Sequence, residues 1–385
     1  MVLEVWSTIS PGAACNWALE DRNGACRNIG TRGARSPRKD TAAKKDLDRR
    51  ARARRLFRFS PTSTMTRVLV TGASGFVGRS LCLALADAGY TVRAALRTDR
   101  AVPAVVAEKV IVGEIGRHTD WTAALANVEL VIHTAARAHV FGEGATRGNL
   151  YEETNAHGTG RLAEMASTHG IRRLVYLSSV KVNGEETTTH PFTPDDLPHP
   201  QDAYGSSKWL GEKLLRDVAM RNKLEFAVLR SPLVYGPGVR ANFLRLMNWV
   251  DKGFPLPLGA VNNRRSLVSV WNLCDLLIHL LRHPGAAGHT WMASDGEDLS
   301  TPQLIRSIGK AMNKRVSLIP VPVALLRLGS LVLGRAAEIN RLCGSLVVDI
   351  GRTRQDLAWN PVMTVEDALA RTVAWYTEER RERAT

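Results

Sequence analysis

The sequence predicts an α/β fold, with a doubly wound parallel sheet followed by a smaller mixed α/β lobe toward the C-terminus. From Arg67 onward, β-branched apolar runs alternate with helical patterns. The runs are continuous rather than alternating, as in parallel strands that are buried on both faces. Beyond about Tyr235, proline and glycine become frequent, in GPG and GFPLPLG. Strands separated by helices imply right-handed βαβ units, so the first part of the chain should be a Rossmann-type sheet.

The first elements of this sheet can be assigned in chain order. RVLVTG, which begins at Arg67, is predicted as the first strand, GRSLCLALADAG as a helix that ends at Gly89, and YTVRAALR as the second strand. Four later apolar runs are also predicted as strands: KVIVG (Lys109–Gly113), LVIHTAA (Leu130–Ala136), RLVYLSS (Arg173–Ser179) and FAVLRSP (Phe226–Pro232).

The positive charge is concentrated at the N-terminus. Residues 1–64 hold 14 Lys and Arg against 6 Asp and Glu, so the net charge of +15 falls to +7 for the rest of the chain. This segment lacks periodicity and ends in RRARARRLFRFSP, and we expect it to be a basic, disordered extension. The favoured interpretation is that Met65 is the true start. The alternatives are an organelle transit peptide, which the acidic residues disfavour, and a nucleic-acid-binding arm.

The composition is that of a soluble globular protein, since no apolar run approaches the ~18 residues of a membrane span, and the cysteine pattern indicates the cytoplasm. The longest apolar stretch, Val321–Gly334, contains Arg327 and is predicted as a packed helix, with contact to a membrane surface as the alternative. Five scattered cysteines suit a reducing compartment. No metal site is predicted, because these histidines lack ligand spacing and are expected to be structural: His118, His139, His157, His169, His279 and His289.

The stretch VTGASGFVG (Val70–Gly78) predicts a dinucleotide site. Gly72 allows a tight turn, Gly75 lets the backbone approach a pyrophosphate, and Gly78 lets the next helix pack against the strand. The helix N-terminus adds free N–H groups and the positive end of its dipole. The alternative is a glycine-rich turn without a ligand, but the strand before the loop and the helix after it favour cofactor binding.

The end of the second strand indicates which dinucleotide is preferred. NAD-binding folds place an acid there to accept the ribose hydroxyls. Here Leu96 and Arg97 occupy the position, Arg93 and Arg100 are near in sequence, and Asp99 comes two or three residues late. Because a guanidinium matches a 2′-phosphate and a carboxylate repels it, the sequence favours NADP(H) over NAD. The alternative is that Arg97 is a solvated strand-end residue.

Ser179, Tyr204 and Lys208 form the predicted catalytic set. Tyr204 and Lys208 are four residues apart, so a helix presents both on one face. The lysine would stabilise a phenolate and lower the tyrosine pKa from its usual value of ~10 toward working pH. Of the six tyrosines, Tyr204 alone has a lysine four residues later. Ser179, at the end of a predicted strand, could bind the same substrate oxygen.

From Arg67 to about Trp375 the chain resembles the extended short-chain dehydrogenases/reductases of the nucleotide-sugar epimerase/dehydratase family, and within it the UDP-glucose 4-epimerase-like proteins and UDP-sugar 4-ketoreductases. The G-x-x-G-x-x-G spacing of the loop is the first mark of this resemblance. The other motifs follow in the family's order: HTAA (His133–Ala136), NAHGT (Asn155–Thr159), LSSVKVNGE, YGSSK, RSPLVYGPG (Arg230–Gly238) and NRRSLVSVWNLCD (Asn263–Asp275).

The resemblance implies roles for individual residues. Tyr204 would be the acid/base, Lys208 would hold the nicotinamide ribose, and Ser179 would position the sugar hydroxyl. Asn242 and Arg265 would bind the substrate diphosphate, although Arg265 could instead be a surface arginine. The implied cofactor-binding residues, together with Arg97 from the strand end, are Gly72, Gly75, Phe76, Val77, Gly78, Thr134, Ala135, Ala136, Asn155 and Ser178, beside Tyr204 and Lys208.

The chain departs from sugar 4,6-dehydratases, which carry an Asp-Glu pair where this sequence has Val180 and Lys181, so dehydration is disfavoured. The leading hypothesis is hydride transfer at C4 of a UDP-hexose derivative in surface polysaccharide synthesis, by a 4-epimerase or an NADPH-dependent 4-ketoreductase. The missing strand-end acid favours the reductase. The alternatives are a non-catalytic NAD(P)-binding regulator and a protein that binds nucleic acid through the basic segment.

The predicted organisation follows from these motifs. Residues 65–234 should form the NAD(P)-binding domain, and residues 235–385 mainly a substrate-binding lobe, with some of the chain returning to the first domain. We expect a nucleotide sugar as the substrate, a homodimer, no nucleic-acid partner and no integral membrane segment.

Overall fold

A computed structural model describes residues 66–138, 144–332 and 336–383; the predicted extension 1–64 and His139 lie outside this range. The strands within it are β1 (Arg67–Thr71), β2 (Thr91–Leu96), β3 (Glu108–Ile111), β4 (Leu130–His133), β5 (Arg173–Ser179), β6 (Glu225–Ser231), β7 (Leu233–Tyr235), β8 (Arg265–Ser269), β9 (Thr290–Met292) and β10 (Asp298–Leu299). The six strands expected from the apolar runs correspond to β1 to β6.

The helices lie between and after these strands. They are α1 (Phe76–Asp87), α2 (Thr122–Leu125), α3 (Gly144–Tyr151), α4 (Gly158–Thr168), α5 (Ala203–Asn222), α6 (Ala241–Lys252), α7 (Val270–Arg282), α8 (Thr301–Ala311), α9 (Val323–Val332), α10 (Ala336–Cys343), α11 (Gly351–Asp356) and α12 (Val365–Glu382). A π-helical turn, Glu152–His157, joins α3 to α4, and short 3₁₀ turns span Val180–Val182 and Pro284–Ala286.

The central sheet is parallel, with the strand order β3-β2-β1-β4-β5-β6-β9. Successive residues of β1 face opposite sides: Val68 and Val70 pack under α1 and α7, and Leu69 packs under α4 and α5. Both faces are therefore apolar, which explains the continuous hydrophobic runs. Strand order reverses between β1 and β4, and a ligand crevice forms outside the carboxyl ends of strands at such a point.

A second sheet, with the order β10-β8-β7, and a separate apolar core organise the C-terminal part. Its core includes Tyr235, Phe243, Ile305 and Leu369. Late segments also contribute to the central sheet, since β9 pairs with β6 and α7 packs beside α1.

The apolar stretch predicted as a packed helix forms α9, but only one of its faces packs. Val323 and Leu326 contact the second core, whereas Leu325, Leu328 and Leu331 are exposed. The expectation of a packed helix therefore holds for one face of α9 only. No helix among the described residues is both long and apolar enough to cross a bilayer.

Candidate active site

The glycine loop forms a close-fitting cradle between β1 and α1. Gly72 has φ +70°, and the N–H of Gly75 donates to its carbonyl at 2.9 Å, which closes the turn. A Cβ on Gly72 would lie 2.8 Å from the backbone N of Ala135, and one on Gly78 would lie 2.1 Å from the Gly72 carbonyl oxygen. No side chain caps the N-terminus of α1. The loop thus has the close backbone approach and free N–H groups that a pyrophosphate requires.

The end of β4 forms the other wall of this cradle. Thr134 donates from Oγ1 to the Thr71 carbonyl at 2.7 Å, and the Ala135 N–H donates to the Thr71 hydroxyl at 3.2 Å. Below them, burial lowers the pKa of His133 to about 3, so this ring is neutral and bridges Thr71 and Thr159. Of the other predicted residues, Phe76 and Val77 form the start of α1, and Ala136 follows Ala135 after β4.

Asn155 is placed below the surface of the crevice. It is completely buried, its amide donates to the Arg137 carbonyl and to the Ser207 hydroxyl, both at 3.0 Å, and its Oδ1 accepts from the Arg137 N–H at 2.8 Å. The side chain therefore fixes the segment after β4 against α5. Its effect on a cofactor would act through that segment.

Arg97 follows β2 directly and pairs with Glu114 at 3.1 Å, while Glu114 also pairs with Arg137 at 2.8 Å. The Arg97 side chain is 49% exposed, so it can reorient toward a ligand. Arg93, in contrast, is buried and bonded to Glu108 and to carbonyls at the end of α2. Of these two sequence neighbours, only Arg97 is accessible.

Ser179 and Tyr204 meet where β5 ends and α5 begins. The Asp202 carboxylate accepts from the Gly205 N–H at 2.6 Å and caps α5, while Lys181 pairs with Asp202 at 2.5 Å. Burial and the Asp202 charge raise the pKa of Tyr204 to about 12, and a hydrogen bond with Ser179 opposes that rise. The expectation that Lys208 lowers this pKa is not met here, because other groups dominate around the phenol.

Lys208 lies one turn farther along α5 and is 1% exposed. Its Nζ donates to the Leu177 carbonyl at 2.7 Å and stands 4.2 Å from the centre of the Tyr176 ring. Burial lowers its pKa to about 7, although the Glu212 carboxylate acts in the opposite direction. A lysine ammonium can donate three hydrogen bonds. Among the described residues, the Leu177 carbonyl is the acceptor that Lys208 reaches. Two N–H donors of Lys208 therefore remain for a ribose.

A buried ion pair that the motifs did not reveal supports this site. Glu212 and Arg230 are 0% and 2% exposed and make two hydrogen bonds, at 2.9 and 2.7 Å. The Ser178 hydroxyl donates to Glu212 at 2.6 Å, and Arg230 donates to Asn183 at 3.1 Å. Ser178, predicted near the nicotinamide, is thus tied to Glu212. The sequence spacing could have indicated that Glu212 lies near Lys208, because it follows Lys208 by one helical turn.

The two predicted diphosphate-binding residues are placed differently. Asn242 is exposed in the first turn of α6. Arg265 is half-buried, and its Nη1 donates to the Arg341 carbonyl at 2.7 Å and to the Gly344 carbonyl at 3.0 Å. Burial lowers the pKa of Arg265; the Glu185 carboxylate opposes this shift, and the Arg341 guanidinium adds to it.

The glycine cradle, the strand-end hydroxyl and the Tyr/Lys pair define a dinucleotide-dependent enzyme of the extended short-chain dehydrogenase/reductase type. The family model for the NAD-dependent epimerase/dehydratase family matches residues 68–293. The chain belongs to this family.

Individual relatives agree in fold and sequence. The chain is 40% identical over 309 residues, 79% of its length and 94% of the relative, to a UDP-glucose 4-epimerase of Vibrio cholerae. A Thermotoga maritima UDP-glucose 4-epimerase solved with UDP-glucose has a TM-score of 0.66 at 20% identity, covering 82% of this chain and 100% of that one. A Bacillus cereus UDP-glucuronic acid 4-epimerase solved with NAD has a TM-score of 0.65 at 20% identity, covering 81% and 99%.

Proposed function

We propose that this enzyme epimerises a UDP-hexose derivative at C4 by hydride transfer. The observation that carries the proposal is the meeting of Ser179 and Tyr204 at the carboxyl edge of the sheet, with Lys208 one turn away on α5. The 40% identity to a UDP-glucose 4-epimerase supports the substrate class.

The side chains would divide the work as follows. Tyr204 takes the proton from the C4 hydroxyl and returns it, while Ser179 holds the same oxygen in place. Gly72, Gly75 and the start of α1 would hold the pyrophosphate of NAD(P), and Lys208 would hold a ribose. When bound, the dinucleotide supplies the hydride acceptor and, through its cationic ring, a charge that lowers the pKa of Tyr204 from the high value set by burial.

A second candidate is an NADPH-dependent 4-ketoreductase, and the accessible Arg97 favours it. Binding of a 2′-phosphate would require the guanidinium to exchange Glu114 for the phosphate. An epimerase regenerates its cofactor in each cycle and gains from holding it tightly, whereas a reductase must release the spent cofactor.

The deciding experiment is to purify the protein, identify any retained nucleotide, and assay UDP-glucose and UDP-N-acetylglucosamine for their C4 epimers. Retained NAD and formation of epimer without added cofactor are expected for the epimerase. An empty site, no epimer, and consumption of NADPH with a UDP-4-keto sugar would replace that proposal with the reductase.

The Arg97 contact has its own test, made with apoprotein by measuring the Kd of NAD and of NADPH. If Arg97 binds a 2′-phosphate, Arg97→Ala should weaken NADPH about ten- to a hundredfold, because a charge-assisted hydrogen bond of about 1.5–3 kcal/mol is lost. NAD should change little. Glu114→Gln is the matched control, since it frees Arg97 and should strengthen NADPH. Equal weakening of both cofactors by Arg97→Ala would remove the case for NADP.

A further inference from the structure

The outward side of α9 is apolar. Leu325, Leu328 and Leu331 are 59%, 61% and 68% exposed and succeed one another at intervals of three residues. Ala324 and Gly329 lie on the same arc of the helix. Surface helices ordinarily turn their apolar side inward and their polar side to water, and α9 does the reverse over this arc.

The exposure is a patch rather than a scattered occurrence. Single exposed leucines are common on protein surfaces, and Leu197, 89% exposed, is one such residue here. Three neighbouring leucines on one helix form a continuous surface, and such surfaces mark places where another apolar body binds.

One arginine borders the leucine patch (Leu325, Leu328 and Leu331), and a second lies on the neighbouring helix. Arg327 lies on α9 at the edge of the exposed arc, and Arg341 lies on α10, which packs against α9. Both arginines are exposed, and neither has a carboxylate partner within the described residues. An apolar helix face with an exposed arginine at its edge suits a body that is apolar inside and anionic at its surface.

We propose that the leucine patch docks on the surface of an anionic phospholipid bilayer. The three leucines would enter the boundary between headgroups and acyl chains, while Arg327 at their edge binds a lipid phosphate. A helix of ten residues lies in the interface and does not span it.

A second copy of the chain fits the patch less well. A two-fold interface built on α9 would place Arg327 of one copy near Arg327 of the other, which is unfavourable without acids between them. Three leucines also provide far less than the ~800 Å² per partner of a stable interface. Anionic lipid would neutralise the positive charge, and a small apolar area is enough for contact with a bilayer surface.

The helix next to the leucine patch, α10, is connected to the candidate active site. Arg265, a predicted diphosphate-binding residue, donates to the Arg341 carbonyl at the end of α10. Asn263, two residues before Arg265, also donates to α10, at the Leu342 carbonyl, so the substrate side of the crevice is hydrogen-bonded to the helix that packs beside the leucine patch. Bilayer binding itself does not depend on the proposed epimerase activity.

The test is co-sedimentation of the full chain with vesicles of phosphatidylcholine and phosphatidylglycerol, and with vesicles of phosphatidylcholine alone. The triple variant Leu325→Gln, Leu328→Gln, Leu331→Gln should bind the mixed vesicles at least about tenfold more weakly. Arg327→Gln should bind them about fivefold more weakly at low salt. Leu197→Gln, at a still more exposed leucine elsewhere, should bind like the wild type.

The basic residues 1–64 are present in every variant, so differences between variants report on α9. All the substituted side chains are exposed, and thermal unfolding should confirm that the variants stay folded. Unchanged vesicle binding by the triple variant would overturn the proposal. Conversion of a dimer to a monomer by the triple variant, with vesicle binding intact, would assign the patch to a second copy and would overturn it as well.

Discussion

Two regions of the molecule differ in where they place polar and apolar side chains. They are the carboxyl edge of the central sheet and the hairpin formed by α9 and α10. At the sheet edge, charged groups such as Lys208, Glu212 and Arg230 are buried and hydrogen-bonded to one another or to the backbone. On the hairpin, three leucines are exposed and Arg327 lies beside them. At the sheet edge the charged groups find their partners within the chain, whereas the leucines of the hairpin have no apolar cover within the described residues.

This difference shows where the fold accepts an energetic cost. Removing charges from water is unfavourable and is offset only when the geometry of pairing is good. The Glu212–Arg230 pair and the Ser178 hydroxyl meet that condition, with contacts of 2.6 to 2.9 Å. The exposed leucines bury little surface within the chain. Substituting them should therefore have little effect on the stability of the fold.

The largest expected effect tests whether the sheet edge is catalytic. Tyr204→Phe should reduce turnover about 10²- to 10⁴-fold, because the acid/base hydroxyl is lost while the ring and its packing remain. Cofactor binding should persist, as measured by titration with NAD. Tyr90→Phe, the same change at the residue just before β2, should leave turnover intact. Comparable losses in both variants would argue against a special role for Tyr204.

The next effect measures the cost of breaking the buried pair. Glu212→Ala should destabilise the protein by about 3–5 kcal/mol, because Arg230 stays buried without its carboxylate. Urea unfolding followed by fluorescence gives this value. The double variant Glu212→Ala, Arg230→Met should recover part of the loss. No recovery would mean that the pair is less isolated from water than its burial indicates.

A pH dependence should distinguish Lys208 from the exposed lysines. Burial lowers its pKa from the usual 10.5 to about 7, so between these values the unfolded chain binds the extra proton. The lysine therefore makes the free energy of unfolding rise with pH across this window and adds nothing further above it. Lys208→Met should reduce the slope by up to about 1.4 kcal/mol per pH unit. Unfolding curves at pH 7, 8 and 9 should then diverge, and parallel pH profiles would contradict this reading.

The smallest effect is expected on the hairpin. Leu328→Gln should change the free energy of unfolding by no more than about 0.5 kcal/mol, because the side chain is 61% exposed. Its matched opposite is Leu326→Gln, since Leu326 packs on the second core and its polar replacement should clearly destabilise. If the two leucines proved equally sensitive, the one-sided packing of α9 would be wrong.

Much of the fold followed from local pattern. Buried parallel strands produce continuous apolar runs, and Gly72 and Gly78 occupy positions where a Cβ would collide with the backbone, so β1 to β6 and the loop could be identified from sequence. The Tyr204 and Lys208 pair was visible because one helix carries both residues.

Contacts between distant segments could not be read in this way. Arg230 meets Glu212 from a different element, and Arg97 meets Glu114 seventeen residues away, so their partners depend on tertiary packing. The pKa of Tyr204 also depends on burial and on Asp202, which the four-residue spacing did not include. The exposed face of α9 escaped prediction because composition gives the hydrophobicity of a helix, not which side another element covers.

The π-helical turn Glu152–His157 acts as a rotational offset between two helices. Such a turn holds about one residue more than an α-helical turn, and each residue rotates the chain by about 100°. The residues before it are therefore turned relative to α4, which packs on the sheet. Tyr151, at the end of α3, thereby lies edge-on to Tyr204, with ring centres 6.0 Å apart. The orientation of α3 relative to α4 therefore depends on the number of residues in this turn. Deleting one residue would rotate α3 about its axis while leaving α4 in place.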